Sequence, residues 1–303
     1  MKIEVLGNER VNDFKEYCRK HRGEVDDSFL YEENLREFQP GEDDPTYIIT
    51  GEQGVITAAA SLMLNDYYRR GKNARFRIFH SELEDINCYH MLLQAILKHT
   101  GCLDSLCVFV GQEKAKVREL MEGLKFNVYR YSFLLVREDL PVPEVSLPEG
   151  YEIRSFRAGL DEETWCKIRN AGFAKLKGSE TPITPDMVEK MVSEDSYLDG
   201  GMLILYHNGR PVGVVRGSMD EYEASPIMDI GPLAIIPEYQ GKGLGRSLLR
   251  ASLNFAKDKG YKRTVLCVNA ENERAKALYL KEGFKEVEAV VCYRYDLISP
   301  RLL

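Results

Sequence analysis

Apolar and polar positions in the second half of the chain alternate with two periodicities, one of two residues and one of about 3.6 residues. The first periodicity is typical of half-buried strands, and the second is typical of amphipathic helices. Pro185 directly after Thr184 indicates the first turn of a helix, and Asn208-Gly209 indicates a hairpin turn. The pattern predicts strands at residues 151–154, 201–207, 211–219, 227–236, 264–268 and 287–297. It predicts one helix that begins after Asp161 and three more at 184–192, 243–259 and 273–281.

The first half of the chain repeats much of this order. Its pattern predicts strands at residues 3–6, 47–50, 55–64, 75–81, 106–110 and 126–136, and helices at 10–21, 31–38, 86–99 and 114–122. Between the halves, residues 138–150 read EDLPVPEVSLPEG. This segment contains three prolines and shows neither periodicity, which indicates a semi-rigid linker. We therefore predict two diverged copies of one unit, with domain boundaries 1–137 and 151–303 around the linker 138–150.

The composition is that of a folded globular protein, with 44% apolar and 29% charged residues. No apolar run approaches the ~20 residues that span a bilayer, and the first residues do not have the layout of a signal peptide. The seven cysteines are scattered and include no CxxC pair, which argues against a disulfide framework. We expect a cytoplasmic protein that has no membrane partner.

The net charge of −7 belongs entirely to residues 1–150, which hold 19 basic and 26 acidic side chains, whereas residues 151–303 are balanced. Without a concentrated basic stripe the chain is a poor candidate for binding nucleic acid. A small cationic or neutral substrate fits this charge better. The five histidines show no ligand spacing such as HExxH, and we therefore predict no metal site.

The clearest chemical signal is a glycine-rich turn, QGKGLGRS, at residues 240–247, between a predicted strand and a predicted helix. Glycines let a ligand approach the backbone closely, and the N–H groups at the start of a helix attract anions such as a pyrophosphate. Two better-known glycine loops do not match. A dinucleotide fingerprint GxGxxG would need glycine where Arg246 stands, and the Walker pattern GxxxxGK followed by Ser or Thr is absent.

The turn does match Q/R-x-x-G-x-G/A, and it follows IGPLAIIPEY at residues 230–239. Further along stand NAENERA at 269–275 and LYLKEGF at 278–284. With these three motifs in this order, residues 151–297 resemble the GNAT superfamily of N-acetyltransferases. The duplication resembles tandem-GNAT proteins, the architecture of mycothiol synthases. The resemblance implies an α/β (α+β) fold of two GNAT-like domains, each a mixed, mostly antiparallel twisted sheet flanked by helices.

The resemblance implies that acetyl-CoA is the acyl donor, that its pyrophosphate lies on residues 240–247, and that its pantetheine arm follows the preceding strand. The residues carried over for this role are Leu233, Ala234, Ile235, Gln240, Gly241, Lys242, Gly243, Leu244, Gly245, Arg246, Ser247, Asn269 and Asn272. Asn272 also suits the cap of the helix at 273–281. Because proline cannot donate to a strand ladder, Gly231-Pro232 predicts a bulge in the central strand of the C-terminal domain.

Acetyl transfer to an amine needs a neutral amine, a stabilised oxyanion and a proton for the leaving thiolate. The resemblance offers Asp229 as the group that takes the amine proton and Tyr279 as the group that protonates the sulfur. A surface carboxylate and a packed core tyrosine are the alternative interpretations. Glu180, in the segment LKGSETP at 176–182, is a candidate for binding an ammonium group or an exposed loop carboxylate without a role.

These observations predict an acetyl-CoA-dependent N-acetyltransferase that acts on a primary amine of a small molecule or peptide. The alternatives are a protein N-acetyltransferase, a non-catalytic acyl-CoA-binding sensor, and an interaction scaffold. The first half has no glycine turn after residues 75–81, where Glu82, Glu84 and Asp85 stand instead and would repel a pyrophosphate. We therefore predict that the N-terminal copy is degenerate. The sequence does not indicate the oligomeric state.

Overall fold

The structure is a computed structural model that describes residues 2–83, 85–139 and 141–297. Glu84 lies outside the described residues. The regular elements of the first half begin with a short strand and end with a long one. The strands are β1 Lys2–Val5, β2 Thr46–Thr50, β3 Ile56–Met63, β4 Asn73–Ser81, β5 Ser105–Gly111 and β6 Asn127–Arg137. The helices are α1 Val11–His21, α2 Glu32–Glu37, α3 Asp66–Arg70, α4 Ile86–Ile96 and α5 Ala115–Gly123.

The second half has the same alternation without a counterpart of α3. Its strands are β7 Tyr151–Ser155, β8 Tyr197–His207, β9 Arg210–Tyr222, β10 Ser225–Ile235, β11 Thr264–Asn269 and β12 Lys285–Asp296. Its helices are α6 Glu162–Phe173, α7 Pro185–Ser193, α8 Leu244–Asp258 and α9 Glu273–Lys281. Among the described residues, no helix has the length and apolar character needed to cross a bilayer.

The described chain divides into two compact units. Residues up to Tyr131 and from Ala289 onward form unit 1, and Ser132–Glu288 form unit 2. In unit 1 the strands are ordered β1-β2-β3-β4-β5-β12, and only β4 and β5 are parallel. In unit 2 the order is β7-β8-β9-β10-β11-β6, and only β10 and β11 are parallel. Both sheets are therefore mixed and mostly antiparallel, as the sequence predicts.

The predicted boundaries at 137 and 303 differ from this division. Strand β12 was predicted for the second domain, but from Val290 onward it pairs antiparallel with β5 of unit 1. Strand β6 was predicted for the first domain, but from Ser132 onward it pairs antiparallel with β11 of unit 2. The physical reason is ladder pairing between strands far apart in sequence, which local periodicity does not encode. The described part of the predicted linker 138–150 contains neither helix nor strand.

Strand β10 contains the predicted bulge. Its pairing with β9 steps from Ile230 opposite Gly217 to Leu233 opposite Val215, so Gly231-Pro232 contributes one extra residue. On its other side, β10 pairs with β11 only at Met228 and Asp229. Beyond the bulge the two parallel strands are no longer paired, which leaves an opening between Leu233 and the end of β11. Helices α6 and α8 pack against β10, which forms one side of this opening, and against its neighbour β9.

Candidate functional site

A cavity of about 620 Å³ lies at the opening between β10 and β11. Its wall consists of the end of α6 and the segment after it, the second half of β10, the glycine turn, the end of β11, and α9. Eleven of the thirteen residues predicted to hold the acyl donor line it. They are Leu233, Ala234, Ile235, Gln240, Gly241, Gly243, Leu244, Gly245, Arg246, Asn269 and Asn272. The structure therefore brings together residues that the sequence places in three separate motifs.

The glycine turn leads directly into α8. Gly241 and Gly243 have φ angles of +77° and +82°, and an added Cβ at either position would meet no atom within 4 Å. Gly243 is the N-cap of α8, and the first bond into the helix is from the Arg246 N–H to the Gly243 carbonyl at 3.0 Å. Because the first N–H groups of a helix have no partner inside it, those of Leu244 and Gly245 are available to an anion.

Gln240 fixes the turn to the strand, because its Nε2 donates to the Ile235 carbonyl at 2.8 Å. Two of the residues predicted to bind acetyl-CoA do not line the cavity. Lys242 is exposed and places its Nζ 4.7 Å from the centre of the Tyr239 ring. Ser247 is buried and its hydroxyl donates to the Ser146 carbonyl at 2.7 Å, which ties α8 to the predicted linker. These contacts involve the side chains, whereas the contact predicted for both residues is made by backbone N–H groups.

The charged side chains that line the cavity are mostly basic. Lys175, Lys177, Arg246 and Arg274 contribute four cations, and Glu271 is the one acidic residue of the lining. Lys177 lies 3.6 Å from that carboxylate. The balance favours a ligand that carries several negative charges, such as a phosphorylated one.

A buried carboxylate below the turn keeps the helix start in place. Glu282 follows α9, and its Oε1 and Oε2 accept bonds of 2.9 and 2.8 Å from the guanidinium of Arg250. Arg246 approaches the same carboxylate at 3.1 Å while its side chain stays 45% exposed. A bidentate pair of this kind fixes geometry as well as charge. It therefore holds α8 against the C-terminal end of α9.

The two predicted asparagines have clear structural positions. Asn269, at the end of β11, donates from Nδ2 to the Lys177 carbonyl at 2.9 Å and so holds the segment after α6 against the cavity. Asn272 caps α9, as predicted, because its side chain accepts a bond from the Ala275 N–H at 3.3 Å. Both residues also line the cavity, so positioning and ligand contact are compatible.

Asp229 lies on β10 immediately before the bulge and is half-buried. A Cβ added at Gly231 would lie 3.6 Å from its Oδ2, so the carboxyl group lies against the bulge. Burial, with a smaller contribution from Asp220, raises the pKa of Asp229 to about 7, although Arg216 and a backbone hydrogen bond from Ile230 oppose the shift. Arg216 in turn donates to Glu194 at 2.8 Å. A carboxyl group that exchanges a proton near neutral pH is suited to acid–base chemistry.

Tyr279 lies on α9 between Leu278, which lines the cavity, and Leu280, which is exposed. Its side chain is 9% exposed, its ring meets Phe284 edge-on at 5.9 Å, and burial raises its pKa to about 12. The hydroxyl therefore stays protonated at neutral pH. Neither Tyr279 nor Asp229 is part of the cavity lining, and Glu180 is exposed and away from it.

Comparison with known proteins identifies this arrangement. Residues 165–284, from the middle of α6 to the residue before β12, match the model of the acetyltransferase (GNAT) family. Over these residues the chain is similar to the acetyltransferases of the GNAT superfamily. It is 29% identical over 210 residues to a mycothiol acetyltransferase of Acidothermus cellulolyticus, which covers 64% of the chain and 63% of that relative. It is 32% identical over 166 residues to one of Kocuria rhizophila, covering 52% and 53%. The chain thus spans between about half and just under two thirds of the curated relatives it matches.

Two solved structures share the GNAT fold along nearly the whole chain. One is a GCN5-related N-acetyltransferase from Sphaerobacter thermophilus, with a TM-score of 0.73, 18% identity and coverage of 100% of this chain and 97% of that one. The other is a tandem GNAT protein from the clavulanic acid biosynthesis pathway, with a TM-score of 0.71, 13% identity and coverage of 99% of both chains. At these identities the likeness concerns the fold, which is that of a tandem GNAT protein.

Some cavity residues were not predicted from the sequence. Gly172 lies where α6 passes β10, and an added Cβ there would be 3.0 Å from the Ala234 Cβ and 3.1 Å from the Ile235 carbonyl. Glycine at this point of an otherwise helical pattern is a signal of close approach. Phe173 and Lys175 follow it into the lining, and only the path of the chain after α6 brings them there.

The corresponding opening in unit 1 is filled. Strands β4 and β5 pair only from Asn73 to Arg75 and then separate, as β10 and β11 do in unit 2. The cavity between them measures about 20 Å³, and Glu24, Val25 and Asp26 form part of its wall. Asp26 contacts the guanidinium of Arg75, whose plane lies over the rings of Phe29 and Phe109. This space is too small for a coenzyme.

Proposed function

We propose that the protein is an acetyl-CoA-dependent N-acetyltransferase that acts on a primary amine of a small molecule or peptide. The observation that carries the proposal is the cavity between β10 and β11, into which an open glycine turn and the start of α8 face. The match of residues 165–284 to the acetyltransferase (GNAT) family and the names of the curated relatives support the same reaction.

The donor fits the residues of the cavity. Its pyrophosphate would accept bonds from N–H groups between Gly241 and Gly245, where Gly241 and Gly243 leave open space. Lys175 and Arg274 would neutralise the remaining phosphate charge. Its extended arm would lie along Leu233, Ala234 and Ile235, whose partners on the β11 side are missing after the bulge, and would take the place of a neighbouring strand.

The acceptor would react at the bulge. An alkyl ammonium group must lose a proton before it attacks the thioester, and Asp229 is the carboxyl group whose pKa allows it to take that proton near pH 7. Asp220 and Glu194 add negative charge around the same stretch of sheet, which suits a cationic acceptor. Tyr279 would return a proton to the leaving thiolate, since burial raises its pKa to about 12 and the hydroxyl is protonated near neutral pH.

The decisive experiment measures thiol release from acetyl-CoA over a panel of small amines, peptides and proteins with amino termini. We expect release that depends on an acceptor from the small-molecule or peptide part of the panel. Release only with folded proteins would replace the proposal by protein N-acetylation. Calorimetric binding of acetyl-CoA without release for any acceptor would indicate a sensor instead.

A pair of glycine variants tests the position of the donor. Gly243→Glu introduces a carboxylate into the turn, and we expect it to abolish acetyl-CoA binding. Gly260→Glu is the matched control, because Gly260 also has a positive φ, of +84°, and open space around its Cβ, but lies beyond the other end of α8. Equal affinity of the two variants would show that the coenzyme binds elsewhere.

A further inference from the structure

Two histidines of unit 1 that are 59 positions apart in sequence meet around one carboxylate. His21 ends α1, His80 lies near the end of β4, and both side chains are buried. Glu24 places Oε1 3.0 Å from His21 Nδ1 and Oε2 3.2 Å from His80 Nε2. The three ligand-type atoms lie within 4.8 Å of one another. The Glu24 side chain is 55% exposed, which gives access from solvent.

These distances suit a transition-metal ion. With bonds of about 2.0–2.2 Å to nitrogen and oxygen, a tetrahedral ion separates its ligand atoms by about 3.3 Å. Each histidine nitrogen lies within about 0.3 Å of that distance from its nearer Glu24 oxygen, which is Oε1 for His21 and Oε2 for His80, and one ligand atom from each of the three residues lies within 4.8 Å of the others. Two imidazoles and one carboxylate are a ligand set that Zn²⁺ and similar ions use, with a fourth position left for water or another ligand.

The outer nitrogens of both rings have partners of the kind that orient metal-binding histidines. His21 Nε2 lies 3.0 Å from Glu82 Oε1, and His80 Nδ1 lies 2.7 Å from the Tyr17 hydroxyl. Carboxylates and other oxygens in this position fix the tautomer and direct the inner nitrogen at the metal. Glu82 belongs to the acidic segment that stands in this unit where unit 2 has its glycine turn. In the structure, this residue of the segment contacts His21.

A metal ion would also complete the hydrogen bonds of the cluster. The Tyr17 hydroxyl has one hydrogen and two neighbours, His80 Nδ1 and the Thr57 carbonyl at 3.2 Å. If His80 binds a metal through Nε2, its Nδ1–H donates to the Tyr17 oxygen, and the Tyr17 hydrogen goes to the carbonyl. In the same way, His21 bound through Nδ1 donates from Nε2 to Glu82. Every contact is then a hydrogen bond with one donor and one acceptor.

We propose that unit 1 binds one divalent transition-metal ion of the Zn²⁺ class through His21 Nδ1, Glu24 and His80 Nε2, with Glu82 and Tyr17 as positioning residues. The carboxylates support a cation, because Glu24 and Glu82 both contact the two-histidine cluster, and among the contacts of the described residues the Lys20 ammonium, 2.6 Å from Glu82, is the lysine that opposes them. The inference is independent of the acetyl-transfer proposal. It revises the expectation of no metal site, which rested on spacing along the sequence alone.

The test uses full-length protein without a histidine tag, treated with a chelator and desalted. We expect calorimetry with Zn²⁺ to saturate at one equivalent per chain. Glu24→Gln and His80→Gln should weaken binding at least about 100-fold, and Glu82→Gln about 10–100-fold, the range known for groups that orient a ligand. His90→Gln, which changes an exposed histidine on α4, is the matched control and should bind as the parent does.

Co²⁺ provides a second readout that does not depend on heat. A tetrahedral nitrogen and oxygen site gives visible absorption without a thiolate-to-cobalt band, which separates it from binding at the exposed Cys102 or Cys267. Circular dichroism confirms that each variant folds, and the half-exposed Glu24 makes Glu24→Gln the safest of them. No saturable equivalent, a thiolate band, or parental affinity in a folded Glu24→Gln would overturn the proposal.

Discussion

Replacing Asp229 by asparagine should make the protein more stable and less active at the same time, and the gain in stability should depend on pH. The carboxyl group has an ordinary pKa of 3.8, which the folded structure raises to about 7. Between these values the folded state binds more protons at this site than the unfolded state. Stability therefore falls as the pH rises through this window, and the loss is complete above pH 7.

The size of the effect follows from the same shift. Each pKa unit corresponds to about 1.4 kcal/mol, so the full window of about three units gives an upper limit of about 4 kcal/mol. About two pKa units of this window lie between pH 5 and pH 7, so only that part of the free-energy difference appears in a titration that starts at pH 5. Because the side chain is only half-buried and water reduces the penalty, we expect Asp229→Asn to gain about 1–3 kcal/mol over the parent between pH 5 and pH 8.

Urea unfolding followed by Trp165 fluorescence measures the free energy of unfolding of unit 2, which contains Asp229. Trp165 is the only tryptophan in the sequence and is fully buried in that unit. In activity, the ratio of parental to variant kcat should rise about tenfold per pH unit below pH 7 and then level off at about 10²–10⁴. Asp220→Asn is the control, since it should shift this midpoint to lower pH and keep the plateau. A stability difference that does not change with pH, or an Asp229→Asn variant with parental kcat, would refute the reasoning.

Three further outcomes are expected. Tyr279→Phe should lower kcat about 10²–10⁴-fold while the affinity for acetyl-CoA, measured by calorimetry, stays near that of the parent; an unchanged kcat where chemistry is rate-limiting would leave Tyr279 a core residue. Acetyl-CoA should bind at one equivalent per chain and not at all to Gly243→Glu, whereas a second equivalent that survives the substitution would show a coenzyme site in unit 1. Gly213→Val should destabilise unit 2 by about 1–3 kcal/mol in urea, because an added Cβ would lie 2.5 Å from Ile235 Cδ1 and 2.9 Å from Leu248 Cδ1; parental stability would mean that these side chains can move aside.

Features that depend on a short stretch of chain were predictable from the sequence. The turn from Gly241 to Gly245, the cap at Asn272 and the bulge at Gly231-Pro232 each follow from what glycine, asparagine and proline do to the backbone within a few residues. The exception among local features is α3. It has five residues and an N-cap at Asn65, and it is too short to show a helical period.

Features that depend on the path of the chain were not predictable. Lys175 and Lys177 reach the cavity only because Asn269 holds the segment after α6. The hydroxyl of Ser247 donates to the Ser146 carbonyl of the linker, 101 positions earlier, and no local pattern indicates this bond. His21 and His80 stand 59 positions apart, which matches no metal-ligand motif, and the fold of unit 1 brings them together.

The place of β12 has a consequence for synthesis on the ribosome. Strand β5 of unit 1 receives its antiparallel neighbour only when Val290 to Asp296 have been translated, whereas strands β6 to β11, which form the sheet of unit 2, are translated before then. All strands of unit 2 are therefore synthesised before the last strand of unit 1, and until β12 pairs with it, β5 has an open edge at Val108 and Val110, which are buried in the folded protein. A gene fragment that ends at the linker would keep that edge open permanently, so the first half expressed alone should aggregate.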